Sequence, residues 1–154
     1  RGIERRFETK GNVGEVRVVD DYAHHPTEIR ATLAAARGSH GGRIVAVFQP
    51  HRYTRTRDLF DDFITAFQEA DILCITDIYG AGEKPIADIT GLSLAEAVQQ
   101  NGHPLVEFVA DLKDIPTVLL PKLKAGDLVM TLGAGSVTTV GAHLLEYLRE
   151  EQLC

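Results

Sequence analysis

Ile44-Val45-Ala46-Val47-Phe48 is an unbroken apolar run, stopped by Gln49-Pro50. A strand with one face in water alternates apolar and polar residues. A run without polar members is instead the pattern of a strand covered on both faces, as in a parallel sheet sandwiched between helices. Ile72 to Thr76 and Leu128 to Leu132 read the same way, the second stopped by Gly133-Ala134-Gly135-Ser136. Leu105 to Val109 adds a further strand. Glu15 to Asp20 carries Val16, Val18 and Val19 between polar residues and reads as a strand paired with one around Arg5 to Thr9, across a Gly11-Asn12 turn.

Between these strands the period changes from two to about 3.6. Pro26 suits the first position of a helix whose inner face is Ile29, Thr32, Leu33 and Ala36, with Gly38 as terminator and Gly41-Gly42 completing the turn. A helix from about Thr56 to Glu69 carries Leu59, Phe60, Phe63, Ile64 and Phe67. Ser93 to Gln100, Leu112 to Leu123 (despite Pro116 and Pro121) and Val137 to Arg149 complete the helical segments. Repeated β-α units with right-handed crossovers predict an α/β chain with a three-layer Rossmann-like fold, a mostly parallel sheet with helices on both faces.

Composition fits one soluble domain: 154 residues, 44% hydrophobic and 25% charged. The formal charge of -6 disfavours a general nucleic-acid or membrane-surface binder, which needs a basic stripe for phosphates. No window approaches the roughly 18 consecutive apolar residues that cross a bilayer. Cys74 and Cys154 suggest neither a disulfide framework nor a metal pair, and a reducing cytosol suits them. The chain opens on Arg1 rather than Met, with a charged, turn-forming stretch to Gly11, and reads as a piece cut from a longer protein.

Two polar clusters sit where apolar strands hand over to helices, the position at which open α/β sheets bind ligands: Asp20-Asp21-Tyr22-Ala23-His24-His25-Pro26 and His51-Arg52-Tyr53-Thr54-Arg55. Successive strand residues face opposite sides, so only one of Asp20 and Asp21 faces a ligand, where it could accept from ribose hydroxyls; a helix-capping acid is the plain alternative. His24 and His25 lie near the positive end of the following helix, which favours neutral imidazoles. Adjacent histidines diverge, so a metal held by them alone is not expected. Arg52 and Arg55 suit a two-pronged grip on a carboxylate or phosphate. Pairing with Asp58, Asp61 or Asp62 explains Arg57 better than either of them. The Gly80-Ala81-Gly82-Glu83 stretch reads as a turn, Gly133-Ala134-Gly135-Ser136 as either a turn or an anion cradle. No Gly-x-x-x-x-Gly-Lys-Ser/Thr phosphate loop occurs. His40, His103 and His143 read as surface or packing residues.

Asp20 to Glu28, Phe48 to Asp58 and Gly133 to Val137, taken together, resemble the C-terminal domain of the Mur ligase family, in the branch that joins L-alanine to UDP-N-acetylmuramate. The resemblance runs from about Arg5 onward. It implies residues 1-12 as linker and first strand from a preceding domain, and 13-154 as the amino-acid-binding domain. It implies ATP-dependent carbon-nitrogen ligation through an acyl phosphate, in peptidoglycan precursor synthesis in the bacterial cytoplasm. ATP and Mg2+ (or Mn2+) would be held mainly by a central domain absent from this sequence, on which this domain packs, so the piece alone would be inactive. Position by position, Asp21 and Tyr22 would reach the nucleotide; His24, His51, Arg52, Arg55 and Ala134, with the amides of Gly133 to Gly135, would form the L-alanine pocket. The murein tripeptide ligases share the first cluster and fit the second less well. A stand-alone nucleotide or amino-acid binding module without catalysis is the alternative of a different class.

Overall fold

A computed structural model of the chain describes residues 6-153, the side chains of residues 152 and 153 excepted. In order the elements are β1 (Glu8–Val13), β2 (Val16–Asp21), α1 (Pro26–Ser39), β3 (Ile44–Phe48), α2 (Tyr53–Asp58), α3 (Phe60–Ile64), β4 (Ile72–Ile75), α4 (Gly91–Gln100), β5 (Val106–Phe108), α5 (Ile115–Leu119), β6 (Leu128–Leu132) and α6 (Thr138–Leu153). The six strands form one sheet in the order β1-β2-β6-β3-β4-β5. Only β1 runs antiparallel to its neighbour; the other pairings are parallel.

The runs Ile44–Phe48 and Leu128–Leu132 become the central strands because both of their faces are covered. Ile44, Ala46 and Phe48 join Met130 and Leu132 on one face, against Ile29, Leu33 and Ala36 of α1, Phe63 of α3 and Leu94 of α4. Val45, Val47 and Val129 point the other way, into Ile115 and Leu119 of α5 and Val140, Leu144 and Leu148 of α6. The Phe48 ring lies 5.4 Å from that of Phe63 and 5.1 Å from that of Phe67, centroid to centroid. Truncating a buried aromatic of this kind costs about 3–5 kcal/mol.

Five expectations are corrected. The β1–β2 turn is Gly14-Glu15, with φ of 61° and 63°, rather than Gly11-Asn12. Gly11 and Asn12 are strand residues beside an irregularity in register between Thr9 and Gly11, which shifts the strand to Glu8–Val13. Arg5, the expected start of that strand, lies outside the described residues. Gly38 does not end α1, which runs to Ser39 with the His40 N–H donating to the Ala36 carbonyl.

The single helix expected over Thr56 to Glu69 is two short ones, beginning earlier at Tyr53 and broken at Leu59 (φ -112°, ψ 18°). In α2 only Thr56 is buried, so that turn positions a loop more than it packs. The segment Leu112 to Leu123 is likewise divided, with short 3-10 turns on either side of α5. Pro116 and Pro121 each fall in a first turn, where a missing N–H costs nothing.

Helices α1, α3 and α4 cover one face of the sheet and α5 and α6 the other. The chain leaving β3 and the chain leaving β6 therefore depart to opposite faces, although the two strands are neighbours. Such a divergence opens a crevice at the carboxyl ends of parallel strands. The loops after β2, β3, β4 and β6 all converge there.

Candidate functional site

The two adjacent acids at the end of β2 face opposite sides, and both are used internally. Asp20 is fully buried; its Oδ1 accepts from Thr131 Oγ1 at 2.6 Å and its Oδ2 from Thr138 Oγ1 at 3.0 Å. That ties β2 to β6 and to the first turn of α6. Asp21, 2% exposed, accepts from the Ala23 N–H on Oδ1 and from the Phe7 N–H on Oδ2, both at 2.8 Å. Arg6 Nη1 stands 3.9 Å from the same group. The carboxylate expected to reach a ribose thus lies behind the turn it shapes. Tyr22, half-buried beyond it, packs edge-on against the His24 ring at 5.0 Å.

Glu28, one turn into α1, closes that turn. Its Oε1 accepts from the N–H groups of His24 at 3.1 Å and His25 at 3.3 Å, satisfying donors that a helix start leaves open. Burial pushes the Glu28 carboxyl up, but these two backbone bonds, with His24 and Arg6 beside it, outweigh burial and hold it below its ordinary value.

Hydrogen bonding assigns the ring protons of both inner histidines. His24 Nδ1 lies 2.9 Å from the Tyr22 carbonyl oxygen, which can only accept, so Nδ1 carries a proton, and it is Nε2 that bears the lone pair in the neutral ring. His51 Nδ1 lies 3.1 Å from Arg55 Nη1, which can only donate, so His51 carries its proton on Nε2. Protonating His51 Nδ1 would break that bond. Burial lowers the His51 pKa, and the charge of Arg55, His24 and Arg52 lowers it further against the opposing pull of Glu83. His25 is shifted the same way, by burial and then by Arg55 and His24.

The two rings lie 6.0 Å apart, with different nitrogens protonated. Arg55, donating also to the His51 carbonyl at 3.2 Å, has no acidic partner among the described residues. Nor does Arg52, which is exposed and makes no side-chain hydrogen bond or ion pair among the described residues. By contrast Arg57 pairs with Asp58 at 2.8 Å in the open, as the sequence suggested. Guanidiniums free of ion pairs among the described residues, Arg52 with only the more distant charge of Glu83, make an edge that suits an anion, and a carboxylate fits the planar fork of arginine on two bonds.

Two neighbouring loops supply groups that the sequence reading missed. Gln49, 5% exposed, donates from Nε2 to Ser136 Oγ at 3.1 Å and accepts on Oε1 from the Val137 N–H at 3.1 Å, fixing the glycine loop after β6 to the end of β3. Tyr79 stacks on His51 at 5.5 Å and 16° and stays 41% exposed, so it walls the crevice. A Cβ at Gly135 would lie 2.9 Å from the Tyr79 ring and 2.8 Å from Gln49 Oε1, so this position has to be glycine for the wall to close up. Ala134 sits half-buried on the same loop, between Gly133 and Gly135.

Backbone strain holds the arginines. Arg52 has φ 77° and ψ 136°, uncommon for a residue with a side chain. It is fixed by donating to the Tyr79 carbonyl at 2.8 Å and accepting from Thr56 Oγ1 at 2.8 Å. Glu83 caps α2 by accepting from the Thr54 N–H at 3.1 Å and Thr54 Oγ1 at 2.6 Å, bonds that hold its carboxyl below the ordinary value. Gly80 to Glu83 is a tight turn, closed by the Glu83 N–H on the Gly80 carbonyl at 3.0 Å, as its glycines suggested. Among the described residues no cluster of three or more His, Cys, Asp or Glu side chains is placed to hold a metal ion, and no helix is long and apolar enough to cross a membrane.

Comparison with known proteins places this geometry. The UDP-N-acetylmuramate--L-alanine ligase of Myxococcus xanthus (strain DK1622) is 53% identical over 152 residues, 99% of this chain and 32% of that protein. The solved UDP-N-acetylmuramate-alanine ligase of Thermotoga maritima superposes with a TM-score of 0.77 at 27% identity, over 96% of this chain and 30% of that one. A murein peptide ligase from Psychrobacter arcticus 273-4 shares the fold with a TM-score of 0.75 at 24% identity, over 94% of this chain and 30% of that one. The chain therefore spans about a third of the length of such relatives. The family model described as the Mur ligase, glutamate ligase domain matches residues 5-135, and the chain belongs to that family.

Proposed function

We propose that this chain is the amino-acid-binding C-terminal domain of an ATP-dependent ligase that joins L-alanine to UDP-N-acetylmuramate through an acyl phosphate. The observation that carries the reading is Arg55, without an acidic partner among the described residues, and the exposed Arg52, neither in an ion pair there, beside a neutral His51 at the carboxyl ends of parallel strands. This is a grip for a small carboxylate. The name of the 53% identical relative, an alanine ligase, supports L-alanine as the amino acid.

In this reading Arg52 and Arg55 hold the alanine carboxylate, His24 and His51 lie near its amine, and Ala134 with the amides of Gly133 to Gly135 lines the far side. Tyr22 faces the nucleotide, and Asp21, whose oxygens are both taken by backbone N–H groups, sets the turn that presents it. Residues 13-154 are the amino-acid domain and 1-12 the lead-in, with β1 already part of the sheet. Mg2+ at the ATP phosphates would neutralise the charge that moves to the leaving group. In this reading it is held mainly by the ATP-binding domain. Closure of this domain over that one would exclude water and bring the amine to the acyl phosphate, in the bacterial cytoplasm.

The test is ATP-dependent condensation by the complete protein containing this domain, offered L-alanine, glycine, L-serine and an L-alanyl tripeptide in parallel, with UDP-N-acetylmuramate as acceptor. L-Alanine should give the highest kcat/KM, and this domain alone should give no product. Preference for the tripeptide, or ligation by the domain alone, contradicts the proposal.

A further inference from the structure

Outside the grip itself, what the geometry leaves unexplained is the opposite protonation of two histidines that share one crevice. His51 offers an Nε2–H; His24 offers an Nε2 lone pair. An α-amino acid has the complementary ends: carboxylate oxygens that accept and an ammonium that donates and must lose a proton before its nitrogen can attack anything. We propose that His24 Nε2 is the base that takes this proton from the incoming amine, and that Glu28 is the positioning residue that holds the turn carrying His24 and places a carboxylate beside its protonated nitrogen. The inference rests on the amino-acid-ligase reading of the site and adds a catalytic role to it.

Three features support the assignment. The Tyr22 carbonyl, 2.9 Å from His24 Nδ1, fixes the proton on the side away from the lone pair. Glu28 Oε1 stands 3.7 Å from the same Nδ1 while accepting the His24 and His25 N–H groups, so a carboxylate backs the ring on its protonated side. The Tyr22 carbonyl orients the imidazole, and the carboxylate at ion-pair distance stabilises the imidazolium that forms on proton uptake. Finally, the His24 side chain is 15% exposed, so the ring meets solvent sparingly and can meet a ligand.

The charged and titratable groups around it are Tyr22 and His25 on its own turn, Glu28 on α1 with Arg6 on the far oxygen of that acid, and His51 across the crevice, with Arg55 and Arg52 behind it. Glu28 is the sole acid within ion-pair reach of the ring among the described residues. The arginines lie on the His51 side, where they attract the carboxylate of the amino acid and leave its ammonium for the lone pair of His24.

The step balances without a further reactant. One ammonium proton passes to His24 Nε2. The freed nitrogen pair attacks the acyl carbon and forms the C–N bond. The C–O bond to the phosphoryl group then breaks, its electron pair leaving on phosphate. A second proton from nitrogen goes to the departing phosphate as the amide forms, and His24 returns its proton to solvent.

His24→Asn tests this, because the asparagine amide can still donate to the Tyr22 carbonyl while the Nε2 position is lost. In the complete ligase, alanine ligation at pH 7 should fall about 100-fold or more, the usual contribution of a general base. The deficit should shrink as the pH rises and free alanine deprotonates by itself. Hydroxylamine, unprotonated at neutral pH, should trap the acyl phosphate as hydroxamate at the wild-type rate in the same variant. Glu28→Gln should show a milder loss with the same pH recovery. A loss of constant size across pH, a parallel loss of hydroxamate, or an alanine rate equal to wild type would each overturn the role of His24. Wild-type enzyme that makes hydroxamate but never ligates an amino acid would overturn the underlying reading, and with it this one.

Discussion

Arg55→Ala in the complete ligase is expected to raise the KM for L-alanine roughly 10- to 100-fold, with a much smaller change in the KM for ATP. A hydrogen bond to a charged group is worth roughly 1.5–3 kcal/mol, and a site that loses it loses ground-state and transition-state binding alike. Among the described residues no acid takes the Arg55 guanidinium; it donates to His51, at Nδ1 and at the carbonyl. Its removal therefore subtracts a ligand contact without freeing a buried acid.

A second readout separates binding from collapse. Burial and then the Arg55 charge lower the His51 pKa in the folded chain, so the unfolded chain binds the proton more readily. Stability thus falls as the pH drops from the ordinary histidine value toward the lowered folded one, and is unaffected by this group above that window. In Arg55→Ala, His51 should titrate closer to the ordinary value by NMR, and this acid-side loss should diminish. An unchanged KM for L-alanine removes Arg55 from the pocket, whatever His51 does.

Asp21→Ala should lower the unfolding free energy of this chain by about 2–5 kcal/mol. Each backbone N–H left buried without an acceptor costs about 1–3 kcal/mol, and Asp21 serves two, those of Ala23 and Phe7. Asp21→Asn keeps one carbonyl acceptor and should lose about half as much. Urea unfolding followed by circular dichroism reads the difference. If Asp21→Ala unfolds at the wild-type midpoint, the carboxylate is not what holds the turn and its ligand role has to be reconsidered.

The contrast between the two residues shows what was legible in the sequence. β3 and β6 fall on the expected residues because five apolar side chains in a row, or four with a single threonine among them, have one explanation in a chain of this composition. The His24, His51 and Arg55 cluster was likewise visible, since each follows a strand and chemistry of this kind gathers at strand ends. The Gly14-Glu15 turn was hidden because Glu15 is an unfavoured residue at positive φ, while Gly11-Asn12 is the better written turn.

Asp21 misled for a different reason. Strand parity says which side a carboxylate faces, but its second oxygen is filled by Phe7, fourteen positions earlier and beyond a hairpin. Gln49 and Tyr79 were missed because Gln49, after β3, meets the loop after β6 and Tyr79, after β4, meets His51 after β3, and only the order β6-β3-β4 makes those loops neighbours. A polar residue directly after an apolar strand, as Gln49 is, was the available signal.

A structure of the complete ligase with UDP-N-acetylmuramate, a non-hydrolysable ATP analogue and L-alanine tests the central claim most directly. The account predicts the alanine carboxylate at hydrogen-bond distance, about 3 Å, from the Arg55 guanidinium, with the amine turned toward His24 Nε2. Alanine bound away from the crevice between His24, His51 and Tyr79, with its carboxylate on groups outside this domain, would contradict it.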